Sequence, residues 1–480
     1  MLSIKQSPLR PPGPKTPWFG LPLLREMRRD YLGFMQRTHE AHGDIAYMRH
    51  GPEHAYDLFS PELMREALVD NAEHFIRWER GIEVFAEAFG QSVLVTEGDT
   101  WKRQRRMLTP VFSARHIAGY GALMTQAAER ALNDTVPSQD PSALVDIEAL
   151  MARVTMEVIM RVLFSSSAQN DARDAATATQ ILSASAISEM YWPFSVPTWM
   201  PWPGNTKKRW GFCTLRGLVN RHIDERKDAK KPDAPTDDLL AILLAARDEH
   251  DPTRGLSDTE LRDQCMVLFQ AGHETSATAL VWWARLVAED AGVSKKIQRE
   301  LDDVLQGREP TATDAPRLDY LQATIKEAMR LYPPVAALMS RRAVRDVRIG
   351  EWTIPRGSLV RIAPWVAHHD ARWFPDPESF RPERFVASAE NPPRGAWMPF
   401  GAGPRVCIGQ HFAMLEMTLI AAMLMQRYVL SIDPQQSTRP TGLLNVTLRP
   451  SGGMRLRLQR RVAVADAANL ARTTETEATR

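Results

Sequence analysis

Phe400-Gly401-Ala402-Gly403-Pro404-Arg405-Val406-Cys407-Ile408-Gly409, followed by Gln410-His411-Phe412-Ala413-Met414-Leu415-Glu416, is the stretch around which the chain is read. Two glycines and a proline just before Cys407 rule out a regular element and let the backbone close tightly around the sulfur, with amide N–H groups turned toward it. From Gln410 the pattern becomes helical, with Phe412, Leu415, Ile420 and Leu424 on one apolar face. Cys407 therefore stands just before a helix N-terminus, a position that lowers a thiol pKa and favours the thiolate. A lone cysteine is ordinarily a small buried hydrophobe, but the spacing around this one carries more.

Phe-Gly-x-Gly-x-Arg-x-Cys-x-Gly, with Ala413 and Glu416 beyond it, resembles the haem-binding loop of the cytochrome P450 family at every motif position. In that family a cysteine thiolate holds the haem iron. The resemblance implies a mainly α fold with small β sheets, the triangular helical haem-thiolate fold. It also implies haem b (iron protoporphyrin IX) as cofactor, Cys407 as its axial ligand, and Arg405 among the residues that bind it.

Composition sets the outer bounds. Of 480 residues, 44% are apolar and 25% charged, which is globular composition with ample material for a large core. A net charge of +2, without long runs of like charge, gives no argument for a nucleic-acid partner. The three cysteines, Cys213, Cys265 and Cys407, are far apart and odd in number, which suits a reducing compartment better than a disulfide framework. Residues 1–19 read as a proline-rich extension, 20–461 as one haem domain, and 462–480, rich in Ala, Thr and Glu, as a disordered tail. The N-terminal residues are too few and too polar for a signal peptide or a span, and no later stretch reaches about eighteen uninterrupted apolar residues. A soluble, cytoplasmic protein without an integral anchor is expected. Pro11-Pro12-Gly13-Pro14 resembles the segment that follows the anchor in microsomal members of the family.

Along the chain, Arg25 to Gly43 has helical periodicity, and Asp44 to Phe59 reads as two strands around Gly51-Pro52. Ser60 caps the next helix, with Pro61 at its first position. Strands are expected again only near 344–363 and 441–458, the rest being helical. Trp101 to Leu108 reads as a helix opened by Asp99 or Thr100, with Trp101, Arg105 and Leu108 on one face and Lys102, Arg103 and Arg106 on the other. Alone it is an ordinary basic surface helix. By the resemblance, Trp101 and Arg105 are the pair that hydrogen-bonds a haem propionate, for which a planar guanidinium suits a carboxylate well.

Ser257-Asp258-Thr259-Glu260 is a capping box that opens a helix apolar on most sides, continuing to about Ala291 over roughly 50 Å. Midway lies Ala271-Gly272-His273-Glu274-Thr275-Ser276. A helical glycine costs about 1 kcal/mol against alanine and needs a reason. Small residues admit a close neighbour, and a threonine hydroxyl bonded back to a carbonyl can open the helix. A carboxylate in such a helix is expensive unless used. The segment resembles the family's oxygen-binding groove, which makes Thr275 its hydroxyl and Glu274 the acid relaying protons from solvent. His273 occupies a variable position and receives no role.

Glu327-Ala328-Met329-Arg330 places two charges on one side of a helix, by itself a common surface pair. With Arg384, in Phe380-Arg381-Pro382-Glu383-Arg384-Phe385, it resembles the family's buried charge cluster, whose role is structural: it fixes the cysteine loop. Arg341 aligns with a further propionate-binding arginine, although the Arg341-Arg342 doublet leaves two registers. Val335-Ala336-Ala337-Leu338 would line the pocket. Tyr191-Trp192-Pro193-Phe194 and Thr198-Trp199-Met200-Pro201-Trp202-Pro203 concentrate aromatics in a proline-rich loop, which packs into a core, covers the substrate entrance or touches a membrane surface. Asp224 to Asp238 reads as a solvated linker.

The resemblance implies a monooxygenase that inserts one oxygen atom of O2 into a small apolar substrate, a fatty acid, terpenoid or steroid-like molecule. No nucleotide-binding or iron–sulfur segment follows the haem region, so the expected electron donor is a separate protein, a ferredoxin with its reductase. An isomerase or dehydratase acting on a peroxide, and a non-catalytic haem-based ligand sensor, are the rival readings. Glu274-Thr275 argues against both.

Overall fold

The computed structural model describes residues 10–136, 142–167, 172–190, 195–228, 238–390 and 392–461. The first nine residues, Tyr191–Phe194 of the aromatic loop, most of the supposed linker and the 462–480 tail lie outside them.

The periodic stretch before residue 43 is two helices, α1 (Leu21–Arg29) and α2 (Tyr31–His42), divided at Asp30, whose carboxylate accepts the Gly33 N–H at 3.0 Å. The hairpin follows as expected, β1 (Ile45–His50) pairing antiparallel with β2 (Glu53–Leu58). Ser60 caps α3 (Pro61–Arg65) through the Leu63 N–H at 3.3 Å. Next come β3 (Phe75–Arg77), α4 (Glu79–Phe89), α5 (Gly98–Leu108), α6 (Ala114–Gly119), α7 (Gly121–Thr135), β4 (Ser142–Asp146), α8 (Ile147–Phe164) and α9 (Ala172–Met190). Two more helices, α10 (Asn205–Lys227) and α11 (Leu239–Ala245), precede the long α12 (Asp258–Glu289). The supposed linker is thus partly helical at its start, and at its end Asp238 caps α11.

After α12 come α13 (Ala291–Leu305), α14 (Asp319–Leu331), β5 (Arg341–Ala343), β6 (Val347–Ile349), β7 (Trp352–Ile354), β8 (Leu359–Ile362) and α15 (Pro364–His368). The chain then runs irregularly to the cysteine loop and α16 (Gln410–Arg427), and closes with β9 (Tyr428–Ile432), β10 (Gly442–Leu444), β11 (Leu448–Pro450) and β12 (Arg455–Arg460). A five-stranded sheet is ordered β1-β2-β8-β5-β3, and a three-stranded one β4-β12-β9. β3, β4 and β9 lie outside the three patches where strands were expected. Each is short and becomes a strand through its partners, β5 for β3 and β12 for the other two.

α12 spans about 48 Å at the usual rise and is the axis of the core. Ser257 accepts the Glu260 N–H and Glu260 accepts the Ser257 N–H, closing the capping box. Trp282 and Trp283 on it are wholly buried. Trp282 donates to Leu448 O at 2.7 Å and stacks on Tyr332 at 3.8 Å, while Trp283 donates to Thr324 Oγ1 at 2.9 Å. Each indole thus buries its apolar body without orphaning its N–H, tying α12 to β11 and α14. No helix among the described residues is long and apolar enough to cross a membrane. Trp18, Phe19, Trp199 and Trp202 stand exposed on the surface.

Candidate functional site

Gly401 and Gly403 take the left-handed conformation, at φ +73° and +72°, and a side chain at Gly403 would collide with the Leu68 carbonyl. Only glycine therefore lets the loop press against the segment after α3. Cys407 N–H closes on Phe400 O at 2.9 Å, and Gly409 caps α16. The sulfur receives one amide, the Gly409 N–H. Burial nevertheless pushes the thiol up, and the Gly409 N–H and the Arg105 charge only oppose that rise. The expectation that the loop alone lowers the thiol pKa is therefore corrected: desolvation outweighs one amide and one cation. Cys265, buried within α12, is pushed up to about 12 by desolvation, and Cys213 lies exposed on α10.

Around the loop the structure gathers guanidinium groups. Arg405 stacks over the Trp101 ring at 3.8 Å and pairs with Glu97. Arg77, on β3, reaches the same carboxylate at 2.7 Å. Burial and the Arg77 charge push Arg405 down to about 9, and the same two causes push Arg341 down to about 10. Arg341 and Arg105 have no carboxylate partner among the described residues, and burial lowers Arg105 as well. Arg77, Arg341 and Arg405 thus converge around Glu97, the carboxylate that Arg77 and Arg405 share, while Arg105 faces Cys407. That excess positive charge calls for anionic groups from elsewhere. Strand alternation sends the two members of the Arg341-Arg342 doublet to different sides: Arg342 turns outward to Glu53 at 2.9 Å and Glu79 at 2.6 Å, and Arg341 turns toward Arg77.

α5 opens at Gly98, not through a side-chain cap at Asp99 or Thr100. The outward face assigned to it also needs correction. Lys102 and Arg106 are exposed, but Arg103 is buried and ion-paired with Glu260 at the start of α12. Gln104 is buried beside it.

On α12, Thr275 donates to Ala271 O at 2.8 Å, yet the helix stays α-helical throughout. Gly272 has a packing reason, since a Cβ there would lie 2.8 Å from Ile159 Cδ1 of α8. Ala271 is exposed in the middle of a helix whose neighbouring turns are largely buried. Glu274 Oε1 accepts from Ser183 on α9 at 3.2 Å and from Thr447 at 2.9 Å, and desolvation raises its carboxyl above the usual range. His273 is buried and held down at about 4 by desolvation, with Nδ1 2.9 Å from Phe269 O.

Glu327 and Arg330 are wholly buried and joined at 2.7 Å, and Arg384 reaches Glu327 at 3.3 Å. Arg330 also donates to His368 O at 2.7 Å. His368 extends the cluster in a way the spacing gave no sign of. Its Nε2 accepts the Met398 N–H at 3.0 Å, so its Nδ1 carries the proton and donates to Arg330 O at 3.1 Å. Met398 O in turn accepts the Gly401 N–H at 3.0 Å, so the charges are fastened to the cysteine loop through one neutral imidazole. Of the expected pocket segment, Leu338 lies 3.9 Å from a Cβ placed at Gly401, whereas Ala336 is buried with Leu32 and Leu448.

A family profile described as cytochrome P450 matches residues 11–457. Cyclooctat-9-en-7-ol 5-monooxygenase from Streptomyces melanosporofaciens is 35% identical over 400 residues, 82% of this chain and 84% of that protein. Cyclooctatin synthase of the same organism is 33% identical, covering 90% and 93%, and pentalenene oxygenase from Streptomyces avermitilis 29%, covering 88% and 91%. Among solved structures, a retinoic acid-bound cyanobacterial CYP120A1 superposes with a TM-score of 0.79 at 25% identity, over 95% of this chain and 100% of that one.

Proposed function

The chain belongs to the cytochrome P450 family, and from that premise we propose that it is a haem-thiolate monooxygenase acting on an apolar, terpenoid-like substrate. The relatives' names, with their cyclooctat-9-en-7-ol and pentalenene, support that substrate class. The observation that carries the reading is the excess of buried guanidinium charge around Cys407. Haem b fits it on two counts: its propionates are the anions that Arg105 and Arg341 lack and that Arg405 has only by sharing Glu97 with Arg77, and its iron is the cation that would deprotonate a thiol held up by burial. When bound, haem supplies the activation of dioxygen that puts one oxygen atom into a C–H bond.

The chain's own residues do the rest. Cys407 ligates, with the Gly409 N–H moderating the sulfur's charge. Trp101 orients the Arg405 guanidinium from its ring face. Thr275 offers a small hydroxyl, and Glu274, whose carboxyl desolvation raises above the usual range, is the proton carrier one residue away. Glu327, Arg330, Arg384 and His368 hold the loop. Electrons come from a separate acidic donor protein such as a ferredoxin. Lys102, Arg106 and Arg115 are exposed on α5 and α6 and would form its cationic landing face.

The test is optical. Cys407→Ala is expected to lose the thiolate band of the reduced carbon monoxide complex, and Cys265→Ala to keep it. A library of terpenoids screened by the substrate-induced spin shift then identifies the ligand class. Retention of the band in Cys407→Ala would overturn the assignment.

A further inference from the structure

Glu274 uses only one of its two oxygens toward the protein. Both Ser183 and Thr447 donate to Oε1, and Oε2 has no partner among the described residues. Next to it lies a cavity of about 40 Å³ between α8, α9, α12 and β11, lined by Glu274, His273, Thr179, Ala152, Glu148 and Arg449 among others. That volume holds a small number of waters. Its wall is polar enough to keep them, because the Thr179 hydroxyl is buried, 1% exposed, and has no hydrogen-bond partner among the described residues. A buried hydroxyl is seldom left unmatched, and a water is its usual partner. On the outer side, Arg449 Nη2 pairs with Glu148 Oε1 at 3.0 Å, and both side chains are partly exposed, at 24% and 18%. The cavity thus runs from a partly exposed ion pair to an interior carboxyl.

We propose that this cavity is a proton antechamber: water entering past the Glu148–Arg449 pair reprotonates Glu274 through Oε2, while Ser183 and Thr447 hold the carboxyl in its loading position. This rests on the reading of Glu274 as the proton donor of a monooxygenase and adds the route by which it is recharged. The transfer is proton movement only. A hydronium or water proton passes to the carboxylate oxygen, the O–H bond formed replaces the one broken, and no oxidant or reductant is involved. Successive positions on a helix are about 100° apart, so Glu274 and Thr275 face different surroundings, and one carboxyl between them can load on one side and deliver on the other. Arg449, Glu148, Ser183, Thr447 and Thr179 are positioning residues in this route, since none of them reaches Thr275.

The groups facing Glu274 fix the direction of the pH response. From β11, Arg449 favours the carboxylate; from α8, Glu148 opposes that but is neutralised by Arg449; from α12, His273 is neutral; from α9, Ser183 and Thr179 contribute hydroxyls and Gln180 an amide. Removing the Arg449 charge therefore raises the pH at which Glu274 titrates.

The decisive measurement is infrared. The carboxyl C=O stretch of Glu274, identified by subtracting Glu274→Gln, is followed through a pH titration and after transfer into D2O, in the whole protein. Ala152→Val, which fills the cavity, is expected to slow deuterium exchange of that band at least tenfold. Arg449→Met is expected to move its midpoint to higher pH and tolerates any misfit of the first variant. In turnover with a reductase, both are expected to release more peroxide per electron consumed. Exchange and midpoint unchanged in both variants would overturn the proposal, and so would slowed exchange with an unchanged product-to-electron ratio. If the reduced carbon monoxide band were absent, the monooxygenase reading would fail separately, because the infrared result needs no turnover.

Discussion

Glu327→Gln is the sharpest test of what holds the cysteine loop. The Glu327 carboxylate, 0% exposed, accepts Arg330 Nε at 2.7 Å on Oε2. Its Oε1 accepts Arg330 Nη2 at 2.8 Å, the Arg381 N–H at 3.0 Å and Arg384 Nε at 3.3 Å. Every one of these groups is a donor. An amide can turn its oxygen to only one side, so its NH2 must face a guanidinium N–H, and Arg330, also 0% exposed, keeps its charge without a counter-ion. Leaving one member of a buried pair uncompensated costs about 3–5 kcal/mol, a large share of a total stability of about 5–15 kcal/mol. Arg384→Lys gives the scale. To Glu327, Arg384 makes only the longest of the four contacts, its Nη2 donating instead to the Pro375 and Asp376 carbonyls, so about 1 kcal/mol per lost bond is expected there. Urea denaturation of the whole chain reads the stability, and labelling of Cys407 by a thiol reagent in a Cys213→Ser background reads the loop. Glu327→Gln should lower the midpoint far more than Arg384→Lys and speed the labelling, because His368 links Arg330 to Met398. A loss no larger than that of Arg384→Lys, or an unchanged labelling rate, refutes the reasoning.

Thr275→Ala, which removes the hydroxyl now bonded to Ala271 O, is expected to go on consuming reducing equivalents while releasing more peroxide and less hydroxylated product; an unchanged product-to-electron ratio counts against the role. Reversing Lys102 and Arg115 to Glu is expected to slow reduction by an acidic ferredoxin and flatten its salt dependence at constant haem content, and identical stopped-flow traces would remove the landing face. Glu416 is wholly buried, and desolvation, opposed only by the Ser276 hydroxyl, pushes its carboxyl up to about 8. Its folded form holds a proton that the unfolded chain releases near 4.5, so stability from this group is full below that pH and is lost as pH rises through about 8, at up to about 1.4 kcal/mol per pH unit. Glu416→Gln should therefore gain on the wild type between pH 5 and pH 8 in thermal unfolding, and parallel curves would show that the carboxyl is not neutral in the fold.

The cysteine loop, the capping box at Ser257, the hairpin at Gly51-Pro52 and the Ser60 cap were legible because each is written in consecutive residues with a backbone requirement. What was not legible joins distant segments. Arg77 meets Arg405 through Glu97, and His368 meets Met398, yet no spacing relates residue 77 to 405 or marks one histidine of the His368-His369 doublet. β3, β4 and β9 are likewise strands only because partners lie beside them. The thiol failed for a different reason: a helix N-terminus and an amide lower a pKa, but the sequence does not say how much water the fold removes, and desolvation is the larger effect here.

Arg103 shows the same limit at the level of one helix. A wheel sorts residues into a face toward one neighbour and a face away from it, but α5 has two neighbours. Trp101 turns to the cysteine loop through Arg405, and Arg103, two positions on, turns to Glu260. Glu260 is also the carboxylate that closes the capping box of α12, and Gln104 Nε2 reaches it at 3.4 Å. One carboxylate thus sets where the long helix begins and where α5 lies against it. Since α5 carries Trp101 and Arg105 and α12 carries Glu274 and Thr275, that contact fixes the register between the cationic wall of the site and its acid–alcohol wall. A charge that seemed free for partner binding is spent on holding the two walls together, which leaves Lys102, Arg106 and Arg115 as the exposed cations of the proposed landing face.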